Sequence, residues 1–80
     1  MATEFLLPRL GETMEEGIIS EWLKHPGDRI ERGEPLLVVE TDKATVEVPS
    51  FVAGIVLKTL KEEGEVVSVG TAIAVIEEDA

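Results

Sequence analysis

The chain has no cysteine, no tyrosine, one tryptophan, two phenylalanines and one histidine in 80 residues. Without cysteine there is no disulfide framework and no thiolate metal site, so any thiol chemistry has to be brought by a cofactor. Positive charge is scarce as well: seven basic against seventeen acidic side chains give a formal charge of −10. That balance excludes the basic footprint of a nucleic-acid or anionic-membrane binder and favours basic protein partners. No apolar run approaches the roughly 20 residues of a membrane-spanning helix. Met1 leads into strand-like sequence without a signal-peptide pattern, which gives a cytoplasmic expectation. At this length one small domain is expected, burying about 60 to 65% of its extended-chain surface. A deep catalytic cleft does not fit such a size.

What the chain does have is an internal repeat. Displaced by 54 − 17 = 37 positions, Gly17 to Asp42 lies without a gap on Gly54 to Asp79. Gly17/Gly54, Ile18/Ile55, Leu23/Leu60, Lys24/Lys61, Gly27/Gly64, Gly33/Gly70, Val38/Val75, Glu40/Glu77 and Asp42/Asp79 are identical pairs. Short runs rich in Val, Ile and Thr between Gly and Pro turns predict strands. They fall at Thr3 to Pro8, Ile18 to Lys24, Ile30, Pro35 to Thr41, Ala44 to Pro49, Gly54 to Leu60, Val67 and Thr71 to Glu77. Four short strands cannot cover their own apolar face, so the two copies must pack together. The expected fold is all-β, a flattened barrel or sandwich of two four-stranded antiparallel sheets with quasi-twofold symmetry. Aligning Pro8 with Pro49 leaves extra residues before Gly17, and Pro8 to Gly17 is the longest irregular stretch. The whole of 1–80 is read as a single domain, with 77–80 as the start of a linker.

The seam of the repeat is Asp42-Lys43. If these are the two central residues of a hairpin, Thr41 faces Ala44, Glu40 faces Thr45, Val39 faces Val46, Val38 faces Glu47 and Leu37 faces Val48. Alternation then places Leu37, Val39, Val46 and Val48 on one face and Glu40, Thr45 and Glu47 on the other. Lys43 stands exposed at the apex among Glu40, Asp42 and Glu47, where most surface lysines are only solvated charge. A Schiff-base lysine needs an apolar pocket, which this tip does not offer. His25 lies alone in a turn, Trp22 is read as a packing residue at the sheet edge, and Glu62, Glu63 and Glu65 as a solvated turn. No acidic run has the spacing of a calcium loop, and no metal site is expected.

Glu40-Thr41-Asp42-Lys43-Ala44-Thr45-Val46-Glu47-Val48-Pro49-Ser50 closely resembles the attachment motif of lipoyl domains, found in the acyltransferase (E2) subunits of 2-oxo acid dehydrogenase complexes. The likeness extends through Leu10-Gly11-Glu12-Thr13-Met14-Glu15-Glu16-Gly17, the Gly27-Asp28 turn and Gly54. The resemblance implies lipoic acid in amide linkage to Lys43, with Glu40, Asp42, Ala44, Gly33 and Gly54 as the context a lipoate ligase reads. It implies a carrier, not an enzyme: a swinging arm reductively acylated by a 2-oxo acid decarboxylase (E1), delivering to coenzyme A at the E2 core and reoxidised by the flavoenzyme E3. The loop residues Leu10, Glu12, Thr13 and Glu15 are the implied E1 contacts, against the plainer reading of a solvated connector. Pyruvate or acetoin complexes fit the loop best. The implied setting is the prokaryotic cytoplasm, or the mitochondrial matrix for a trimmed chain, with the isolated domain monomeric. A biotinyl domain is the nearest rival, but its lysine typically sits between methionines, and the methionines here are Met1 and Met14. An unmodified acidic interaction module is the other alternative.

Overall fold

The computed structural model describes Met1–Asp79. Eight strands follow one another: β1 Ala2–Leu6, β2 Glu16–Trp22, β3 Arg29–Ile30, β4 Pro35–Glu40, β5 Thr45–Pro49, β6 Gly54–Thr59, β7 Val66–Ser68 and β8 Ala72–Glu78. They form two four-stranded antiparallel sheets, ordered β1-β8-β6-β3 and β5-β4-β2-β7. The domain is elongated and flattened, about 36 × 22 × 18 Å.

Exchanging β1 with β5, β2 with β6, β3 with β7 and β4 with β8 turns one sheet order into the other, so the expected twofold holds. The halves do not each make a sheet, however. Each half sends two strands to either sheet, which interlocks the copies and makes both sheets depend on pairing across the repeat. The symmetry reaches individual hydrogen bonds. The Ile19 amide donates to the Glu65 carbonyl at 2.9 Å and the Val56 amide to the Asp28 carbonyl at 2.9 Å. Irregularities recur too: Leu36 on β4 and Ile73 on β8 are each the extra residue of a register shift. The shift breaks alternation, and Leu36, Leu37, Ile73 and Ala74 all lie in the core.

Register corrects one alignment. Leu6 pairs with Ala72 as Pro49 pairs with Pro35, so Leu6, and not Pro8, is the counterpart of Pro49. The offset there is 49 − 6 = 43 against 37 later, which places 43 − 37 = 6 extra residues in the loop before β2.

The inner faces meet in one core of Phe5, Leu7, Ile19, Ile30, Leu36, Leu37, Val39, Val48, Val56, Val67, Ile73 and Ile76, with Met14 and Trp22 at its margins. Trp22 is a packing residue as expected, 6% exposed, at a point of β2 that β7 does not reach. It ends β2, paired with Leu37 on β4, and its indole N–H donates to the Lys61 carbonyl at 2.9 Å. Glu63 is not merely solvated, since its carboxylate accepts the Trp22 amide at 3.0 Å. The His25-Pro26-Gly27-Asp28 turn forms as expected, with Asp28 N donating to His25 O at 2.9 Å and Gly27 at φ +96°, matched by Gly64 at +94°.

The expected linker does not begin at Glu77. Glu77 and Glu78 belong to β8, and Asp79 is held by its own amide donating to Ala53 O at 3.0 Å and by the Arg29 guanidinium. Ala80 lies outside the described residues.

Candidate functional site

The β4–β5 hairpin forms in the register that alternation predicts: Glu40 opposite Thr45, Val39 opposite Val46, Val38 opposite Glu47 and Leu37 opposite Val48. Leu37, Val39 and Val48 are buried and Val46 half-buried, while Glu40, Thr45 and Glu47 are exposed. The strands are therefore anchored by a packed face, and the tip projects from a rigid base.

Asp42 and Lys43 close the tip without leaving the ordinary backbone regions, since no residue other than glycine has a positive φ among the described residues. The mirror-image turns of tight hairpins require positive φ at their centre, so this tip is built differently. Thr41 builds it. Its amide donates to the Ala44 carbonyl at 2.8 Å, and its hydroxyl donates to the same oxygen at 2.9 Å. That hydroxyl also accepts the Ala44 amide at 3.1 Å and the Lys43 amide at 3.3 Å. One side chain thus takes the place of the carbonyl of a conventional turn and holds Lys43 and Ala44, as Ser and Thr do in local backbone mimicry. The motif reading passed over Thr41, although a threonine just before a two-residue tip carries that signal.

Asp42, Lys43 and Ala44 are exposed, and among the described residues Lys43 enters no ion pair. No group of side chains among the described residues could hold a metal ion.

The loop before β2 lies against the tip. A groove separates Leu10–Met14 from Thr41–Ala44 and Val46, and a second depression runs from Thr13–Ile18 to Glu40–Asp42 and Val66. The six extra residues are therefore spent beside the lysine. The loop is anchored from below: Met14 is buried, its sulfur accepts the Leu10 amide at 3.2 Å, and its own amide donates to Gly11 O at 3.2 Å. Leu10 packs partly on the core, whereas Glu12, Thr13 and Glu15 are exposed. Of the loop contacts expected from sequence, these three carboxyl and hydroxyl side chains are the ones wholly available to a partner.

Gly33 and Gly54 are not brought to the tip. Gly33 turns the chain before β4, at the end of that strand away from Lys43. Gly54 pairs with Ile30 and Glu78 on the other sheet, where a Cβ would lie 2.0 Å from the Glu77 carbonyl oxygen. Its close backbone approach is the reason it is glycine. At the twofold mate of the tip, the Glu78 amide donates to Met1 O at 2.9 Å, as Thr41 does to Ala44.

A sequence profile described as "Biotin-requiring enzyme", covering biotin and lipoyl attachment, matches residues 3–76. The chain belongs to this biotin/lipoyl family. The domain is 50% identical over 76 residues to a segment of the dihydrolipoyllysine-residue acetyltransferase component of the pyruvate dehydrogenase complex of Corynebacterium glutamicum, covering 95% of the chain and 11% of that protein. It is 46% identical over 77 residues to the succinyltransferase component of the 2-oxoglutarate dehydrogenase complex of Bacillus subtilis, covering 96% of the chain and 18% of that protein. A pyruvate dehydrogenase E1 subunit beta of Rhizobium meliloti carries a segment 46% identical over 80 residues, covering 99% of the chain and 17% of that protein. The chain thus spans less than a fifth of each relative. In three dimensions the domain matches the lipoyl domain of the 2-oxoglutarate dehydrogenase complex from Azotobacter vinelandii, with a TM-score of 0.75 at 28% identity, over 96% of this chain and 98% of that one. These likenesses make the domain a lipoyl-type carrier module with the expected all-β fold.

Proposed function

We propose that the domain carries lipoic acid in amide linkage to Lys43 and serves a 2-oxo acid dehydrogenase complex. The observation that carries this reading is the apex itself: an exposed lysine, without an ion-pair partner among the described residues, on a hydroxyl-clamped tip beside a loop fastened to the core. The lipoyl group, when bound, supplies a dithiolane that accepts an acyl unit from E1, yields it to coenzyme A at the E2 core and is reoxidised by E3. The chain's own residues do the rest. Thr41 fixes the direction in which the Lys43 side chain leaves the tip, Asp42 and Ala44 flank it, and amide formation takes the formal charge from −10 to −11. Glu12, Thr13 and Glu15 present the adjoining surface to E1. Tethering the arm to a small domain raises its local concentration toward the millimolar range at each partner site.

Lipoate is favoured over biotin because Asp42 and Ala44, and not methionines, flank the lysine. A pyruvate- or acetoin-type complex is the more specific assignment, in the cytoplasm or the mitochondrial matrix, with lipoate ligase as the modifying partner. The test is acylation of the lipoylated domain by E1 enzymes acting on pyruvate, 2-oxoglutarate and branched-chain 2-oxo acids. At least one should acylate the domain far faster than free lipoamide at equal concentration, with pyruvate E1 the best. Rates no higher than on free lipoamide with every E1 would remove the carrier reading.

A further inference from the structure

The repeat lets one end of the domain serve as a template for the other. At the chain-terminal end, Arg29 on β3 pairs with Ile55 on β6, and its guanidinium reaches past β6 to Asp79. Both contacts are hydrogen bonds, at 3.1 and 2.6 Å, to the two oxygens of one carboxylate. Such forked pairing is the strong, directional form of an arginine contact. The twofold mates of Arg29, Ile55 and Asp79 are Val66, Ile18 and Asp42. Val66 pairs with Ile18 on β2 as Arg29 does with Ile55, and Ile18 pairs with Glu40 just before the tip. One element of the template is missing. Where Arg29 stands, the functional end has Val66, and among the described residues Asp42 enters no ion pair.

The consequence is an uncovered apolar step. Val66 is 59% and Ile18 39% exposed, whereas Ile55, beside Arg29, is half-buried. The surface runs from this step to Asp42 through a depression that contains carboxylates and no basic side chain. Aliphatic surface leading to a free carboxylate is what an arginine fits, stem on the step and fork on the acid.

We infer that the Ile18–Val66 step and Asp42 form a docking surface for an arginine of the E1 decarboxylase, which lies there as Arg29 lies on Ile55 and Asp79. The inference rests on the carrier reading and adds a second E1 contact, adjoining the loop at Thr13 and Glu15. Complementary charge at such a rim acts on encounter and register, so the effect belongs mainly in KM.

Val66→Arg supplies the missing arginine from within and closes the surface. With domain shown by mass to be fully lipoylated, the E1 that acylates wild type best should lose roughly ten-fold in kcat/KM on Val66→Arg, the weight of one charge-assisted contact. Val66→Ala should lose less, and unchanged kcat/KM on Val66→Arg would overturn the inference. If no E1 acylates the wild type, the carrier reading is what fails, and a direct titration still decides the surface. Nα-acetylarginine methylamide added to 15N-labelled domain should shift the amides of Ile18, Asp42 and Val66 saturably, and Asp42→Asn should abolish this. Shifts that are absent, or that persist in Asp42→Asn, would overturn it. The same titration covers the case in which Val66→Arg fails to fold.

Discussion

Thr41→Val removes one hydroxyl and keeps the β-branched shape. That hydroxyl makes three hydrogen bonds, donating to Ala44 O at 2.9 Å and accepting from Ala44 N at 3.1 Å and Lys43 N at 3.3 Å. A typical bond is worth about 0.5 to 1.5 kcal/mol net. At a water-exposed tip, where the freed amides are rehydrated, the three together come to about 1 kcal/mol. That is a roughly five-fold rise in the open population of the apex, since 1.4 kcal/mol is ten-fold. Valine is a good strand residue, and the Thr41 amide still reaches Ala44 O, so β4 and β5 stay paired. Amide hydrogen exchange should therefore quicken about five-fold at Lys43 and Ala44 while Val38 and Val46 hold the wild-type rate. Lipoylation by the ligase should slow by a similar factor, and Thr41→Ser should restore both. Wild-type exchange at Lys43 and Ala44 in Thr41→Val would refute the clamp, and so would a serine variant that behaves like the valine one.

The glycine pair separates backbone from side-chain crowding: a Cβ on Gly54 meets the Glu77 carbonyl oxygen at 2.0 Å, one on Gly17 meets the Val39 Cγ1 at 2.5 Å. Gly54→Ala should cost about 3 kcal/mol in urea unfolding and Gly17→Ala about 1 to 2 kcal/mol, because only the side chain can yield; the reverse order would contradict the packing account. Arg29 holds the Asp79 carboxyl below its ordinary value of 3.8, and the Glu31 amide together with Lys24 holds Glu34 below 4.5. Lowered folded values stabilise above the ordinary range and lose that stabilisation as pH falls, so thermal stability should decline from about pH 4.5 downward. Arg29→Gln should flatten the Asp79 share of the decline, and an unchanged profile would show that the clasp does not form in solution. Moving the lysine by one residue, as Asp42→Lys or Ala44→Lys in a Lys43→Ala background, should block lipoylation. Full modification of either shifted variant, seen by mass, would show that apex position is not read.

Much of this was legible in the chain because two signals coincide. Period-two alternation on both sides of Asp42-Lys43 fixes which residues of β4 and β5 face each other, since a slip by one would bury Glu40 and Glu47. The repeat independently demands two packed copies. Where only one signal exists, the sequence is ambiguous. β1 and β5 share only the Glu4/Glu47 identity at their offset of 43, too little to set the alignment, and matching proline to proline puts Pro8 on Pro49, two residues from the true partner Leu6. Interlocking of the halves is a matter of long-range pairing, which no local pattern records. Asp79 read as linker because a chain end has no following strand to set its period, yet its repeat mate Asp42 marked it as part of the domain. The role of Thr41 is a side-chain hydrogen-bond pattern, legible only as a residue type at a turn. The uncovered step at Ile18 and Val66 depends on which strands pair across the repeat, and so on long-range contacts that local sequence does not record.

The most direct test of the central claim is the intact mass of the domain after incubation with lipoate ligase, lipoate and ATP, with peptide mapping of the product. A carrier built around this apex takes up one lipoyl group, located on Lys43, and none in Lys43→Arg; biotin ligase with biotin leaves it unmodified. A folded domain that stays unmodified by the lipoate enzyme, that takes biotin instead, or that is lipoylated at Lys24, Lys58 or Lys61 would contradict the account.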